Sequence, residues 1–357
     1  MNKRIEWIDT TKVVTMILVV LGHCAYYNIV TLYGGIHYLS DDIEVSEAYN
    51  LLKELVDFIY TFHMPLFMAL SGMCYYVSQS KNACIINLMK DKAIRLLLPF
   101  VVVSLFLSIP LKYLSGYWMD SENVLTDIFI GQILLLGNSH LWFIVSLFWV
   151  FLLFYIVRNL INNIYLFWII LLLLSWIGLY IDHRTNCLGL PAAIKHLFFF
   201  ALGFYTLNWL DRIKLSAGQL TCLILLFVVT NILYNSIYKS LIGIEPSQML
   251  SPIFFTFFAI FGCFITIQVS KRVSNGMYFF GGGKMWTFLK ENTYEIYLYS
   301  DPFNYVVIQI AYSLCGDSIF TNNEMSILFF FLRFTLQFVF SYILIVCIRK
   351  LQIKSYF

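Results

Sequence analysis

The sequence predicts an all-α polytopic membrane protein with about ten transmembrane helices and both termini in the cytoplasm. Of its 357 residues, 60% are hydrophobic and only 12% are charged, whereas a soluble domain carries about 25% charged residues. The apolar residues form long runs of a length that crosses a bilayer, and the loops between them are alternately basic and acidic. The net charge of +3 is small and not clustered, so we expect no nucleic-acid partner.

Each predicted span is near the roughly 20 residues that cross a hydrocarbon core of about 30 Å. The spans are predicted at 11–30, 56–78, 94–114, 140–158, 163–181, 191–209, 218–237, 251–270, 293–315 and 326–348. A shorter segment, 124–137, carries Asp127 and Gln132 and is predicted to be interfacial or re-entrant. We expect one membrane-embedded domain over 1–357, with no appended soluble domain and no cleaved signal peptide.

The loop charges orient these spans. With the amino terminus inside, most of the 23 Lys and Arg residues fall in inner segments, and the outer loops are acidic. This distribution follows the positive-inside rule, and an error of one span would put basic and acidic loops on the same side. We therefore expect a multi-pass protein of the cell (inner) membrane, with the lipid bilayer as its surroundings.

The eight cysteines form no CxxC pair, and most lie in or beside apolar runs. There they are expected to pack as small apolar side chains, so neither a disulfide framework nor a metal site is predicted.

Span 1 carries two ionisable side chains, Lys12 near its inner end and His23 in its outer half. Their spacing of 11 residues, about three turns, places them on one helix face about 16 Å apart along the axis. Asp9 is one turn before Lys12 and can pair with it. Ionisable groups within the bilayer are costly and suggest function. Two simpler interpretations stay open: Lys12 as an interfacial anchor and His23 as a hydrogen-bonded core histidine.

Two further histidines are predicted at a similar outer depth. His63 lies in span 2, beside Pro65, which we expect to break the helix locally. His140 begins span 4, where Trp142 alone would be explained by an interfacial aromatic belt. Ser71, two turns after His63, either contacts a ligand or allows a neighbouring helix to pack closely at Ser-Gly.

Other ionisable residues lie on spans 3, 9 and 10. Lys92 and Arg95, one turn apart at the inner end of span 3, suit phosphate groups, although positive-inside bias alone explains a single lysine. Asp301 lies near the middle of span 9 and is predicted either to pair structurally with Arg333 of span 10 or to serve the site.

Four sequence segments resemble the membrane acyltransferase-3 family, and the resemblance covers essentially the whole chain. The segments are the basic-x10-His pattern of Lys12 and His23 with Asp9 before it, "PLFMALSGMCY" from Pro65, the Lys92–Arg95 pair before Pro99, and "TYEIYLYSDP" ending at Pro302. "FHMPLF" with "HLWFI" is similar to the branch that includes fucose 4-O-acetylase-like proteins.

The resemblance implies an O-acyltransferase that moves an acyl group, usually acetyl, from acyl-CoA to a hydroxyl of a carbohydrate acceptor in a cell-surface polysaccharide or its precursor. It implies that His23 is catalytic and that Lys92 and Arg95 bind the donor. We expect Lys12, at the same inner side, to join them in holding the nucleotide end of the donor. Acetyl-CoA is then a co-substrate, and no tightly bound cofactor is expected.

Around these residues we expect His63 as a second catalytic residue, with Asp9, Ser71, His140, Trp142 and Asp301 in supporting positions. The chain departs from the family pattern at Lys92, where many members have arginine, and at Ser300, where many have histidine. Arginine binds phosphate with two parallel bonds, which lysine cannot do.

A different class of function remains open from the residues alone. A secondary transporter or flippase for a polar solute or a lipid-linked sugar also places polar side chains at mid-membrane. Such a protein would move its substrate without consuming acetyl-CoA.

Overall fold

The computed structural model describes residues 5–40, 42–78, 84–182, 186–242, 251–279 and 283–351, and this part of the chain is dominated by α-helix. The amino-terminal half contains α1 Glu6–Gly22, α2 Glu47–Tyr60, α3 His63–Ser78, α4 Ile85–Lys92, α5 Leu98–Val103, α6 Ile109–Leu114, α7 Val124–Ile128 and α8 Trp142–Leu160. The remainder contains α9 Ile164–Asp182, α10 Leu190–Arg212, α11 Ala217–Ile242, α12 Ser251–Phe279, α13 Lys284–Glu291, α14 Thr293–Cys315, α15 Ser318–Thr321 and α16 Asn323–Lys350.

Each predicted span contains helix, but two of them differ from the prediction. Span 1 was predicted at 11–30, whereas α1 ends at Gly22 and a short strand begins at Asn28. Span 2, at 56–78, is divided between α2 and α3. In the described residues, eight helices are long and apolar enough to cross a membrane, which confirms the polytopic all-α class. The two remaining predicted spans are α1, which has 17 residues, and α14, whose middle carries the polar residues Ser300, Asp301 and Asn304. The count of ten and the cytoplasmic termini stay predictions.

The helices of the third span form one continuous rod over Ile85–Leu114 that contains two π-helical segments, Ala93–Leu97 and Ser104–Ser108. A third π segment, Phe129–Ile133, follows α7 within the predicted interfacial stretch. A π segment widens the helix by one residue and is frequent at functional sites. The first of them contains Arg95.

The predicted break at Pro65 is confirmed. Helix α2 ends at Tyr60, a turn occupies Thr61 and Phe62, and α3 begins at His63, which places Pro65 in its first turn, where a missing N–H is tolerated. Close packing at Gly72 is also confirmed, because a Cβ there would collide with the backbone of Phe200 in α10. Gly203 makes the reciprocal approach to the backbone of Ala69.

A β-hairpin that the sequence patterns did not predict follows α1. Strands β1 Asn28–Thr31 and β2 Gly34–His37 pair antiparallel, with Asn28 opposite His37 and Thr31 opposite Gly34. Gly34 has a φ of 107°, which favours glycine at the turn. The side chain of Asn28 secures the base of the hairpin, because it accepts from the backbone N–H groups of Tyr38 and Leu39.

Candidate active site

Asp301 joins two of the predicted histidines. Its Oδ1 lies 3.1 Å from Nδ1 of His23, and its Oδ2 lies 3.4 Å from Nδ1 of His140. The rings of His23 and His140 meet edge to face, with centroids 6.4 Å apart. Nδ1 of His23 is buried without a fully directed hydrogen bond in the described structure, and Asp301 is the acceptor within reach. Nε2 of His23 is therefore the ring nitrogen left for a substrate.

The end of α1 holds His23 in place. His23 directly follows Gly22, the last residue of α1, so its carbonyl has no partner within the helix. Asn304 donates to this carbonyl at 2.8 Å, and Arg333 donates to it at 2.7 Å. Arg333 also donates to the carbonyls of Cys24 and Tyr26 and to the side chain of Asn304.

These bonds correct the predicted structural pair between Asp301 and Arg333. Arg333 is 1% exposed, and its donors serve the carbonyls around His23 rather than a carboxylate. Asp301 is left to face the two histidines. The guanidinium of Arg333 has five N–H donors in a fixed plane, so it can bond three converging carbonyls better than the ammonium of a lysine could.

His23, His140 and Asp301 open into a cavity of about 420 Å³, here called the histidine cavity. Its other walls come from the first hairpin strand and Tyr26 before it, from α2, from the start of α8 and the segment before it, and from α14. The residues are Tyr26, Asn28, Ile29, Val30, Thr31, Tyr60, Asn138, Trp142, Asn304, Tyr305 and Ile308. Aromatic rings and side-chain amides surround His23, His140 and Asp301. The hairpin strand β1 closes one side.

His140 is held by its neighbours on both sides. Its Nε2 lies 3.2 Å from the carbonyl of Leu298, and its own carbonyl accepts from the hydroxyl of Tyr297 at 2.5 Å. Both ring nitrogens thus face protein acceptors, which favours a positioning role over proton transfer with a substrate. Trp142, two residues later, stacks on His196 with centroids 6.0 Å apart.

His63, predicted as a second catalytic residue, does not line the histidine cavity. Its Nδ1 lies 3.0 Å from the carbonyl of Ile59, and its ring packs against Tyr60 with centroids 4.5 Å apart. Tyr60 lines the cavity, so His63 supports that wall from behind. The geometry does not support direct contact between His63 and the reacting atoms.

The predicted donor-binding residues meet in a second cavity of about 320 Å³, here called the cationic cavity. Lys12, Lys92 and Arg95 all line it, and so do Ser71 and Cys74. Residues from α1, α3, the first π segment, α8 and α14 surround it. Ser71 donates back to the carbonyl of Phe67 at 2.9 Å, so its hydroxyl oxygen remains able to accept.

Acidic residues hold the cations of this cavity. Asp9 accepts from Lys12 at 3.1 Å, as predicted. Asp91, which sequence reasoning did not single out, lies 2.9 Å from Nε of Arg95 and 3.4 Å from Nζ of Lys92. The Lys92 ammonium also lies over the ring of Phe151, 4.3 Å from its centroid. The Arg95 side chain is 67% exposed, so its guanidinium can turn to an incoming anion.

The two cavities are adjacent. Tyr297 lines the cationic cavity and donates to the carbonyl of His140, which lines the histidine cavity. The rings of Phe67, Phe143 and Tyr297 pack on one another at the boundary, with centroids 5.3 to 6.2 Å apart. The three cations and the two histidines thus line separate cavities.

Sequence reasoning missed several wall residues of the histidine cavity and the buried lysine beside it. The asparagines and tyrosines of the wall carry no motif that would distinguish them in sequence. Lys112 had a detectable signal, because a lysine within the apolar run 94–114 is an intramembrane ionisable residue. Burial raises the pKa of Tyr117, which lies after α6, so its hydroxyl is neutral.

Comparison with known families adds one match. A family model described as an acyltransferase domain, that of the membrane acyltransferase-3 family, matches residues 5–346, nearly the whole chain. No curated protein matches the chain, and no solved structure matches it.

Proposed function

The chain belongs to the membrane acyltransferase-3 family, and from that premise we propose that it is an O-acyltransferase acting on carbohydrate. It moves an acyl group, acetyl in the simplest case, from cytosolic acyl-CoA to a sugar hydroxyl of a cell-surface polysaccharide or its lipid-linked precursor. The observation that carries the proposal is the contact between His23 and Asp301 at the wall of a cavity adjacent to one lined by three cations.

The cationic cavity suits the donor. Acyl-CoA carries phosphates at its nucleotide end, and Lys12, Lys92 and Arg95 offer ammonium and guanidinium donors for them. The apolar remainder of this cavity, lined by residues such as Leu70 and Phe143, suits the thin pantetheine arm. The thioester would then approach His23 past Tyr297.

The histidine cavity suits a sugar. Tyr26, Tyr60 and Trp142 offer aromatic faces, and Asn138 offers an amide that can bond hydroxyl groups. Strand β1 of the hairpin also lines this cavity, through Asn28, Ile29, Val30 and Thr31.

In the proposed step His23 acts as a general base through Nε2. It takes the proton of the acceptor hydroxyl as that oxygen attacks the thioester carbonyl, so a C–O bond forms. The C–S bond then breaks, and the imidazolium returns the proton to the departing thiolate, which leaves as the free thiol of CoA. Asp301 holds Nδ1 and stabilises the imidazolium while it exists.

Asp301 also accounts for the departure at Ser300. The late segment lacks the histidine that many family members carry, and Ser300 itself is buried. In this chain the next residue supplies the polar partner of His23, and His140 braces its second oxygen. We infer that the His23–Asp301 dyad works without a histidine at position 300, and the 3.1 Å contact between the two side chains supports this.

The test uses the full chain in detergent with acetyl-CoA and polysaccharide extracted from the producing cells. An acyltransferase releases CoA thiol and adds O-acetyl groups, which NMR of the polysaccharide detects. A transporter or flippase would move solute in vesicles and leave acetyl-CoA intact. Absence of thiol release with every acceptor tried, together with solute transport in vesicles, would replace the proposal with the transporter hypothesis.

A further inference from the structure

An apolar groove between α3, α10, α11 and α12 has no part in the proposed acyl transfer. Its volume is about 530 Å³, and none of the described residues that line it also lines the histidine cavity or the cationic cavity. Trp209, Leu226 and Phe264 are among its walls. Thr206 lines it too, but the hydroxyl of this residue donates to the carbonyl of Leu202 at 2.6 Å. The groove therefore offers an occupant almost only hydrocarbon surface.

The groove is open to the lipid. Its four helices belong to candidate membrane spans, and Leu226 is 53% exposed where it lines the groove. Trp209 is exposed near the end of α10, where an amphipathic indole suits the interface between hydrocarbon and water. Lipid tails are as apolar as leucine, so an acyl chain of a neighbouring lipid is the occupant that this depth and this surface favour.

One end of the groove meets a cluster of cations, here called the basic patch. Leu210 and Ile267 line the groove, Arg212 follows Leu210 by two residues, and Lys271 follows Ile267 by one turn of α12. The basic patch consists of Arg212, Lys214, Lys271 and Arg272. The predicted orientation of the spans places this patch on the cytoplasmic side, where anionic headgroups attract basic residues.

Lys271 joins α10 and α12 at this end of the groove. Its Nζ donates to the carbonyls of Leu210, Asp211 and Ile213, at 2.8, 3.1 and 2.7 Å. These carbonyls belong to the end of α10 and the residue after it, where a helix lacks its own donors. The bonds hold the two helices that carry the basic patch in a fixed relation.

The other cations of the patch are available to a ligand. Arg212 and Lys214 are exposed, and within the described ranges neither forms a hydrogen bond or an ion pair. Asp211, the acidic residue beside them, accepts from Nε1 of Trp7 at 2.8 Å and makes no ion pair with the patch in the described structure. An anion at this end of the groove therefore meets two positive charges that no carboxylate already engages.

We propose that the groove and the basic patch together bind an anionic phospholipid of the inner leaflet. One acyl chain lies in the groove, and the phosphate lies against Arg212 and Lys214. Basic pockets between membrane-spanning helices on the cytoplasmic side bind such headgroups. A zwitterionic lipid fills the groove equally well but gains less from the patch, so charge sets the preference. The site is separate from the proposed chemistry and does not depend on it.

The test is native mass spectrometry of the full chain in detergent, titrated with phosphatidylglycerol or with phosphatidylcholine of the same acyl chains. The wild type is expected to bind phosphatidylglycerol more tightly. Arg212→Gln and Lys214→Gln should each weaken this lipid about fivefold, as the loss of one basic residue near a headgroup predicts, and should leave phosphatidylcholine unchanged. Lys350→Gln is the matched control, because Lys350 is an exposed lysine at the end of α16 and does not line the groove.

A second pair of variants tests the groove itself. Leu226→Trp places a bulky ring in the groove and should weaken both lipids, whereas Leu225→Trp, at the neighbouring exposed leucine that does not line the groove, should weaken neither. Equal affinity of the wild type for the two lipids would overturn the proposal. So would an equal loss of phosphatidylglycerol in Lys214→Gln and Lys350→Gln, or unchanged binding in Leu226→Trp. If Leu226→Trp does not fold, undiminished phosphatidylglycerol binding in both Arg212→Gln and Lys214→Gln overturns the proposal instead.

Discussion

The hydroxyl of Tyr297 donates to the backbone carbonyl of His140 at 2.5 Å, and this bond lies where the cationic cavity meets the histidine cavity. One residue therefore lines the proposed donor site and fixes the segment that braces Asp301. Because Leu298, the next residue, accepts from the ring of His140, α14 holds that histidine by two adjacent positions.

Tyr297→Phe removes the hydroxyl but keeps the ring at the boundary. We expect turnover to fall about 3- to 10-fold, since one neutral hydrogen bond contributes about 1 kcal/mol, while the affinity for acetyl-CoA stays unchanged. Initial rates and a binding titration measure the two quantities. Tyr294→Phe is the matched control, because Tyr294 lines the same cavity but donates to the carbonyl of Arg95. An equal loss of turnover in both variants, or a weaker affinity for acetyl-CoA in Tyr297→Phe, would contradict the assignment.

Asp301→Asn keeps the shape of the side chain and removes its charge. We expect acyl transfer to fall by about 10²- to 10⁴-fold, because His23 loses the group that orients it and stabilises its protonated form. The protein should remain folded, which size-exclusion chromatography in detergent would show. Turnover within a factor of a few of the wild type would remove Asp301 from the mechanism.

Arg95→Ala is expected to weaken acetyl-CoA binding by about 10-fold, as one charge-assisted contact with a phosphate predicts, and to change the maximal rate little. Lys290→Ala serves as the control, since Lys290 pairs with Glu6 and does not line the cationic cavity. The measurement is the KM for acetyl-CoA set against kcat. A collapse of kcat at unchanged affinity would argue against a donor-binding role.

Arg333→Lys keeps the positive charge but cannot reach three carbonyls at once. We expect a loss of stability of about 3 kcal/mol, because buried carbonyls at the end of α1 lose their donors. Thermal unfolding in detergent measures the change, and Arg272→Lys, at a position outside both cavities, gives the background. Unaltered stability would mean that Asn304 alone secures this end of the helix.

The helices were predictable because the thickness of the bilayer fixes the number of residues in a span, and apolar runs of that length are visible in the sequence. The separation of Lys12 and His23 along the axis of one helix was also predictable, because it depends only on the helix rise per residue. The side chains that contact Asp301 were not predictable from the sequence. Contacts between helices depend on how the helices rotate and pack, and the residues around Asp301 and Pro302 do not reveal this. Arg333 was expected near Asp301, and it binds carbonyls exposed by the end of α1 instead.

His63 shows that a common depth in the membrane does not by itself bring side chains into one site. Three histidines at a common depth suggested one site, but the face of each helix decides which side chains meet. The turn at Thr61 and Phe62 starts α3 at His63 and places its ring behind Tyr60. The hairpin at Asn28–His37 was missed because its strands are short, although Gly34 and Gly35 beside its turn were a detectable signal.

The most direct test of the central claim is O-acetylation of the extracted polysaccharide by His23→Ala, measured by NMR with acetyl-CoA as donor. His37→Ala is the matched control, because His37 lies on the exposed side of the hairpin and does not line the histidine cavity. The account predicts that His23→Ala folds and binds acetyl-CoA but adds no O-acetyl groups, while His37→Ala retains transfer. Product acetylation at wild-type level by His23→Ala would contradict the assignment of His23 as the base.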